Sequence, residues 1–209
     1  MAKLKDGIFG PASGSVGNVI IAMRNGVPYI RSKPAKVHNP RTPKQLAVRM
    51  KLSLLNRVLC NLKPVINVGF PDPPGGKTSR DIAYSVNYPM VFKGEYPDIE
   101  IRFDSLRISS GTLSPAEEVT ANLSDDQLSV SWGTKTGGTK HDLAMLVVYN
   151  SLSGQSFYSL RAAERQAGWA NLEVPQNISD DLSHLHGWIA FVSPDGKKCS
   201  ESRALPIGN

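Results

Sequence analysis

From Ile99 to Leu205 the chain is a succession of short apolar-alternating runs broken by turn residues: IEIRF, LRISSGTL, EVTANL, QLSVSW, LAMLVVYN, SFYSLRA, GWANLEV, GWIAFVS and KKCSESRAL. Runs recurring at roughly ten-residue intervals predict an all-β sandwich or barrel. In QLSVSW, Leu128, Val130 and Trp132 point one way and Ser129 and Ser131 the other, as in a strand with one buried face, so Trp132 is expected to anchor a core. LAMLVVYN is apolar on both faces and reads as a central strand ending at Tyr149 and Asn150. Pro194, Asp195 and Gly196 supply a tight turn between the last two runs.

The first part of the chain obeys different rules. Gly7, Gly10, Pro11, Gly14 and Gly17 predict a pliable arm. VIIAMRNGVPYIR follows, two apolar runs around Asn25-Gly26, the pair that takes positive φ in a type I′ turn. Pairing across that turn puts Val19, Ile21, Met23, Pro28 and Ile30 on one face and Arg24, Tyr29 and Arg31 with Ile20, Ala22 and Val27 on the other. A two-stranded hairpin is marginal in water, so the first face is expected to pack on a helix of its own chain or on another subunit. Thr42, Pro43 and Gln45 form a helix-start signal with a capping-box pattern. The helix is expected to run to about Leu62 and stop at Lys63-Pro64, with Ala47, Met50, Leu54, Val58 and Leu62 as an apolar stripe that Leu55 and Leu59 widen. Cys60 reads as a small packed thiol, and a shorter helix is expected from Ser79 or Arg80 to Tyr88. The resulting expectation is an α+β chain: residues 1–94 a basic arm, hairpin and helical region, residues 95–209 a β-sandwich domain.

Charge divides the chain as well. Residues 1–60 carry eleven Lys or Arg and the single acid Asp6, whereas residues 61–209 carry thirteen bases and seventeen acids. Such asymmetry suggests a polyanionic partner or an acidic surface, including that of a neighbouring copy. The candidate polyanion contacts are Arg24, Arg31, Lys33, Lys36, Arg41, Lys44, Arg49 and Lys51, with Tyr29 available for stacking. No run reaches the length of a membrane-spanning helix, and the N-terminus lacks the apolar stretch of a secretory signal, so synthesis without Sec export is expected. Two cysteines, Cys60 and Cys199, cannot form a multi-cysteine zinc site.

Residues 116–209 resemble a fibronectin type III or related immunoglobulin-like module through Trp132, Tyr149 and FVSPDGKKCSESRAL. The whole chain resembles an uncharacterised family of bacterial proteins of about 200 residues, common in Bacteroidota. The matching stretches are GSVGNVI, RSKPAKVHNPRTPKQLAVRMKL, GEYPDIEIRFDSLRISSGTL, LVVYN and FVSPDGK, and the Pro-rich FPDPPGGKTS departs from it. That resemblance implies no activity and carries over no site.

Motifs that would force a reaction are missing or incomplete. Gly75-Gly76-Lys77-Thr78 resembles the end of a P-loop, but Pro71 stands where its first glycine is required. His184 and His186 alternate without a third metal ligand at suitable spacing, and the acidic pairs Glu117-Glu118, Asp125-Asp126 and Asp180-Asp181 read as solvated loop charges. No catalysis, cofactor or metal is expected. The leading expectation is a structural subunit, a displayed sandwich whose N-terminal segment docks on neighbouring copies in a filament, a surface layer or a phage-like particle. Nucleic-acid binding by the basic half and an adhesin-like binding module are the alternatives.

Overall fold

The computed structural model describes residues 2–3, 13–24, 26–36, 39–124, 126–134, 137–175 and 182–207. The chain forms two compact units, Met1–Gln45 and Leu46–Asn209.

The first unit is an antiparallel sheet of β1 (Ala2–Lys3), β2 (Gly14–Val16), β3 (Val19–Arg24) and β4 (Val27–Ser32), in the order β1-β4-β3-β2. Gly26 has φ +76°, the left-handed conformation that the hairpin turn demands; Asn25 lies outside the described residues. The register pairs Ile21 with Ile30 and Met23 with Pro28. That places Val19, Ile21, Met23, Pro28 and Ile30 on one face as the sequence predicts. The arm is only partly an arm, because Gly14–Val16 pairs with Val19–Ile21 as an edge strand. An open β3 edge supplies its backbone with hydrogen-bond partners that an unpaired arm would have to seek in solvent. Gly7, Gly10 and Pro11 lie outside the described residues.

Helix α1 (Pro43–Asn61) leads into the second unit, with the Gln45 backbone N–H donating to Thr42 Oγ1 at 3.4 Å. Helix α1 ends at Asn61, close to the expected Leu62, but Lys63-Pro64 does not end the helical region. Helix α2 (Lys63–Gly69) starts there, since proline in a first turn needs no N–H partner, and Ile66 still donates to the Leu62 carbonyl at 2.9 Å. Helix α3 (Ser79–Asn87) is started by Thr78, which forms a complete capping box with Asp81. The lysine and threonine of the P-loop-like run thus lead into a helix cap.

Strands β5 (Phe92–Lys93) and β6 (Glu100–Ile101) form a small ribbon. LRISSGTL, expected as a strand, is instead a strap tied by side chains. Asn87 bonds both the N–H and the carbonyl of Arg107, at 2.7 and 2.8 Å, and Ser202 Oγ accepts from Ile108 N–H at 3.0 Å. The sandwich follows as β7 (Thr120–Ser124), β8 (Gln127–Ser131), β9 (Leu143–Asn150), β10 (Ser156–Glu164), β11 (Trp169–Glu173), β12 (Leu185–Val192) and β13 (Arg203–Leu205). One sheet has the order β10-β9-β12-β13 and the other β11-β8-β7, a three-plus-four arrangement of the fibronectin type III kind.

The four-stranded sheet is buried on both faces. Toward the three-stranded sheet it presents Leu146, Val148, Ile189 and Phe191, which pack with Leu128, Val130, Trp132 and Leu172. On its other face Met145, Val147, Tyr149 and Trp188 pack with Leu55, Leu59, Leu62 and Ile66 of the helices. The second unit therefore has three layers, helices on sheet on sheet, and the compact units divide at Gln45/Leu46 instead of near residue 94. The physical reason lies in LAMLVVYN: a strand apolar on both sides needs a cover on both sides.

Candidate functional site

The exposed strands of the first unit are the first candidate. Among the described residues of 13–45 none is fully buried: Val16 is 73% exposed and Met23 48%, Val19 and Val27 are also exposed, and Ile21, Pro28 and Ile30 are half-buried. Of the basic candidates, Arg24, Arg31, Lys33, Lys36, Arg41 and Lys44 are exposed within this unit. Arg49 and Lys51 belong to the second. Lys51 is half-buried, its ammonium 5.5 Å from the centre of the Phe92 ring, a cation–π contact.

Inside the second unit, folding gathers polar residues that are far apart in sequence. Ser151 Oγ, just past β9, lies 3.3 Å from His186 Nε2 and 3.5 Å from His184 Nδ1, and donates to the His184 carbonyl at 3.3 Å. The His186 ring stacks on Phe103, centroids 4.0 Å apart. Burial first, and the neighbouring His184 second, push the His186 pKa down to about 4, against the opposing pull of Asp104. A base so weak draws a serine proton poorly at neutral pH, and the hydroxyl already donates elsewhere, so the cluster reads as a packed polar joint. Sequence reading noted both histidines but not Ser151, which reaches them only because Asn150 pairs with Leu185.

A second cluster centres on Arg165. Its guanidinium lies 3.6 Å above the Phe191 ring, its Nη2 donates to the Ser114 carbonyl at 2.6 Å, and its Nε is 3.3 Å from Asp142 Oδ2, both side chains being buried. Burial lowers the Arg165 pKa, opposed by Asp142. The Trp132 indole N–H donates to the Arg165 carbonyl at 2.9 Å, and its ring meets Phe191 edge-on at 5.7 Å. Trp132 is thus the core anchor expected, and Arg165 is its partner, for which the sequence held no local signal.

Cys60 departs from expectation. It is exposed, its sulfur accepting from Arg80 Nη1 at 3.4 Å, because one residue's rotation separates it from the buried Leu59. Cys199 is the packed thiol, 3.0 Å from the Gly69 carbonyl oxygen, and burial raises its pKa. Of the acidic pairs, Glu117, Glu118 and Asp126 are exposed, while Asp125, Asp180 and Asp181 lie outside the described residues. Among the described residues no helix is long and apolar enough to cross a membrane, and no group of three or more His, Cys, Asp or Glu residues is placed to hold a metal.

The three-stranded sheet presents a third surface, facing away from the core. Its outward rows are Trp169, Ser131 and Thr120, then Asn171, Ser129 and Asn122, then Glu173, Gln127 and Ser124. Trp169 is 60% exposed, whereas Trp132 and Trp188 are buried.

These features define a class, a helix-backed β-sandwich preceded by a small basic sheet. The chain belongs to a family of unknown function (DUF6266), whose model matches residues 11–206. Among solved structures it is similar to a fibronectin type III domain of the human collagen alpha-1(XX) chain, at 18% identity and a TM-score of 0.33, over 48% of this chain and 90% of that one. No curated protein matches the chain.

Proposed function

We propose that the protein is a structural subunit whose N-terminal sheet docks on a neighbouring copy in a filament, a surface layer or a phage-like particle. The observation that carries this reading is that, among the described residues of 13–45, none is buried. Val16, Val19 and Met23 share one face of the N-terminal sheet, and all three are exposed. Each such side chain gains about 1.5–3 kcal/mol on full burial, so a partner that covers the face adds stability the chain cannot supply alone. Charge favours a second copy as that partner, because residues 1–60 are strongly basic and residues 61–209 are net acidic.

Size-exclusion chromatography with light scattering, on the full chain and on residues 42–209, with and without nuclease, tests the reading. Residues 42–209 keep Thr42, the cap of α1. The full chain should form a larger species that survives moderate salt and nuclease, and the shortened chain should be a monomer. A polyanion-binding role spread over six to ten bases would lose ~10³–10⁵ in affinity between about 50 and 200 mM salt. A full chain that is monomeric at every concentration and binds oligonucleotides with that salt slope overturns the assembly reading.

A further inference from the structure

We propose that the outer face of the β11-β8-β7 sheet binds a neutral polysaccharide, with Trp169 as its stacking platform. The proposal is independent of the assembly reading above. Shallow grooves of about 360 and 680 Å³ lie along the face, sharing Ser129. Trp169 lines the first groove, and the residues beside it are small, so the indole stands clear of its neighbours. An exposed indole with one apolar face and a donor N–H suits the C–H face of a sugar ring, which is apolar across its width and polar at its rim.

The rest of the face supplies what hydroxyls need. Asn171, Ser129 and Asn122 form one cross-strand row beside Trp169, and their side chains have no hydrogen-bond partner among the described residues. Amides and hydroxyls both donate and accept, as sugar hydroxyls do, whereas a protein interface core favours apolar burial. Charge narrows the class further. Among the described residues no Lys or Arg lines the grooves, and Glu173 and Asp126 stand at the far end. Acidic polysaccharides and nucleic acids are therefore disfavoured despite the aromatic platform, since they require cations along the track. The rows Trp169, Asn171 and Glu173 span four strand steps, about 13 Å, enough for a few linked sugar rings.

Affinity electrophoresis of the full chain in native gels holding soluble starch, a mixed-linkage β-glucan, xylan or galactomannan is the test. At least one should retard the wild type. Trp169→Ala should lose about tenfold in affinity or more, Trp169→Phe should keep part of it, and Asn171→Ala should lose less than Trp169→Ala. Trp169 is exposed, so these variants should melt as the wild type does, and light scattering gives their masses. Failure of all four polysaccharides to retard the wild type overturns the proposal, as does equal retardation of Trp169→Ala. A change of oligomeric mass in Trp169→Ala also overturns it, because the face would then belong to a contact between copies.

Discussion

The two units solve the same problem, the covering of apolar strands, in opposite ways. In residues 46–209 a sheet with two apolar faces is covered on one side by a second sheet and on the other by α1 and α2, and Leu55, Leu59, Val147 and Trp188 lose all contact with water. In residues 1–45 strands of comparable apolar content stay exposed or half-buried. Buried apolar side chains are therefore concentrated in the second unit, and Val16, Val19 and Met23 of the first remain exposed. An uncovered apolar face is a liability for aggregation, which is the cost that the proposed docking would remove.

The largest expected effect concerns the middle layer. Removing residues 1–41 takes away none of the described buried residues, whereas removing residues 1–94 strips the helices from Met145, Val147, Tyr149 and Trp188. At about 1.5–3 kcal/mol per large side chain the second truncation costs on the order of 10 kcal/mol, comparable to the whole stability of a domain. Residues 42–209 should give a cooperative thermal transition and dispersed amide spectra, and residues 95–209 should be insoluble or unfolded. A stable 95–209 fragment would break the comparison, for the helices would then be a dispensable cover.

Trp132→Ala should cost roughly 3–5 kcal/mol in denaturant unfolding, from the cavity it leaves and the lost donor to the Arg165 carbonyl. Trp132→Phe keeps most of the packing and should cost less. A melting transition in Trp132→Ala unchanged from wild type would remove the Trp132–Phe191 contact from the core's stability.

What the sequence revealed and what it concealed follow the same division between local and distant. The hairpin register, the start of α1 at Thr42 and the inward set Leu128, Val130 and Trp132 were legible because each is decided within a few residues by periodicity or a turn. The outward row of β11 was legible by the same alternation, Trp169, Asn171 and Glu173 against Ala170 and Leu172, yet its meaning depends on the rows that β8 and β7 set beside it. The helical cover on β9 and β12 was not legible, since it joins Leu59 to Trp188 across most of the second unit. Cys60 was misread for a related reason, since helix rotation decides its exposure, and the packed thiol is Cys199, held against the Gly69 and Ser110 carbonyls. LRISSGTL has strand-like composition, but Asn87 and Ser202 capture its backbone before a neighbouring strand can.

The smallest effect, and the sharpest contrast with Trp132, belongs to the turn of the first unit. Gly26 has φ +76°, and a Cβ added there would meet no atom within 4 Å, so any penalty comes from the backbone alone. Gly26→Val should cost about 1–2 kcal/mol, since a β-branched side chain resists the left-handed conformation. Gly26→Asn should cost less, because asparagine tolerates that conformation. Because no described residue of β2, β3 or β4 is buried, the loss should appear as faster amide exchange in β3 and β4, with the melting of residues 46–209 unchanged. Equal loss of protection in β9 and β12 would mean that the two units fold as one, and the contrast between them would fall.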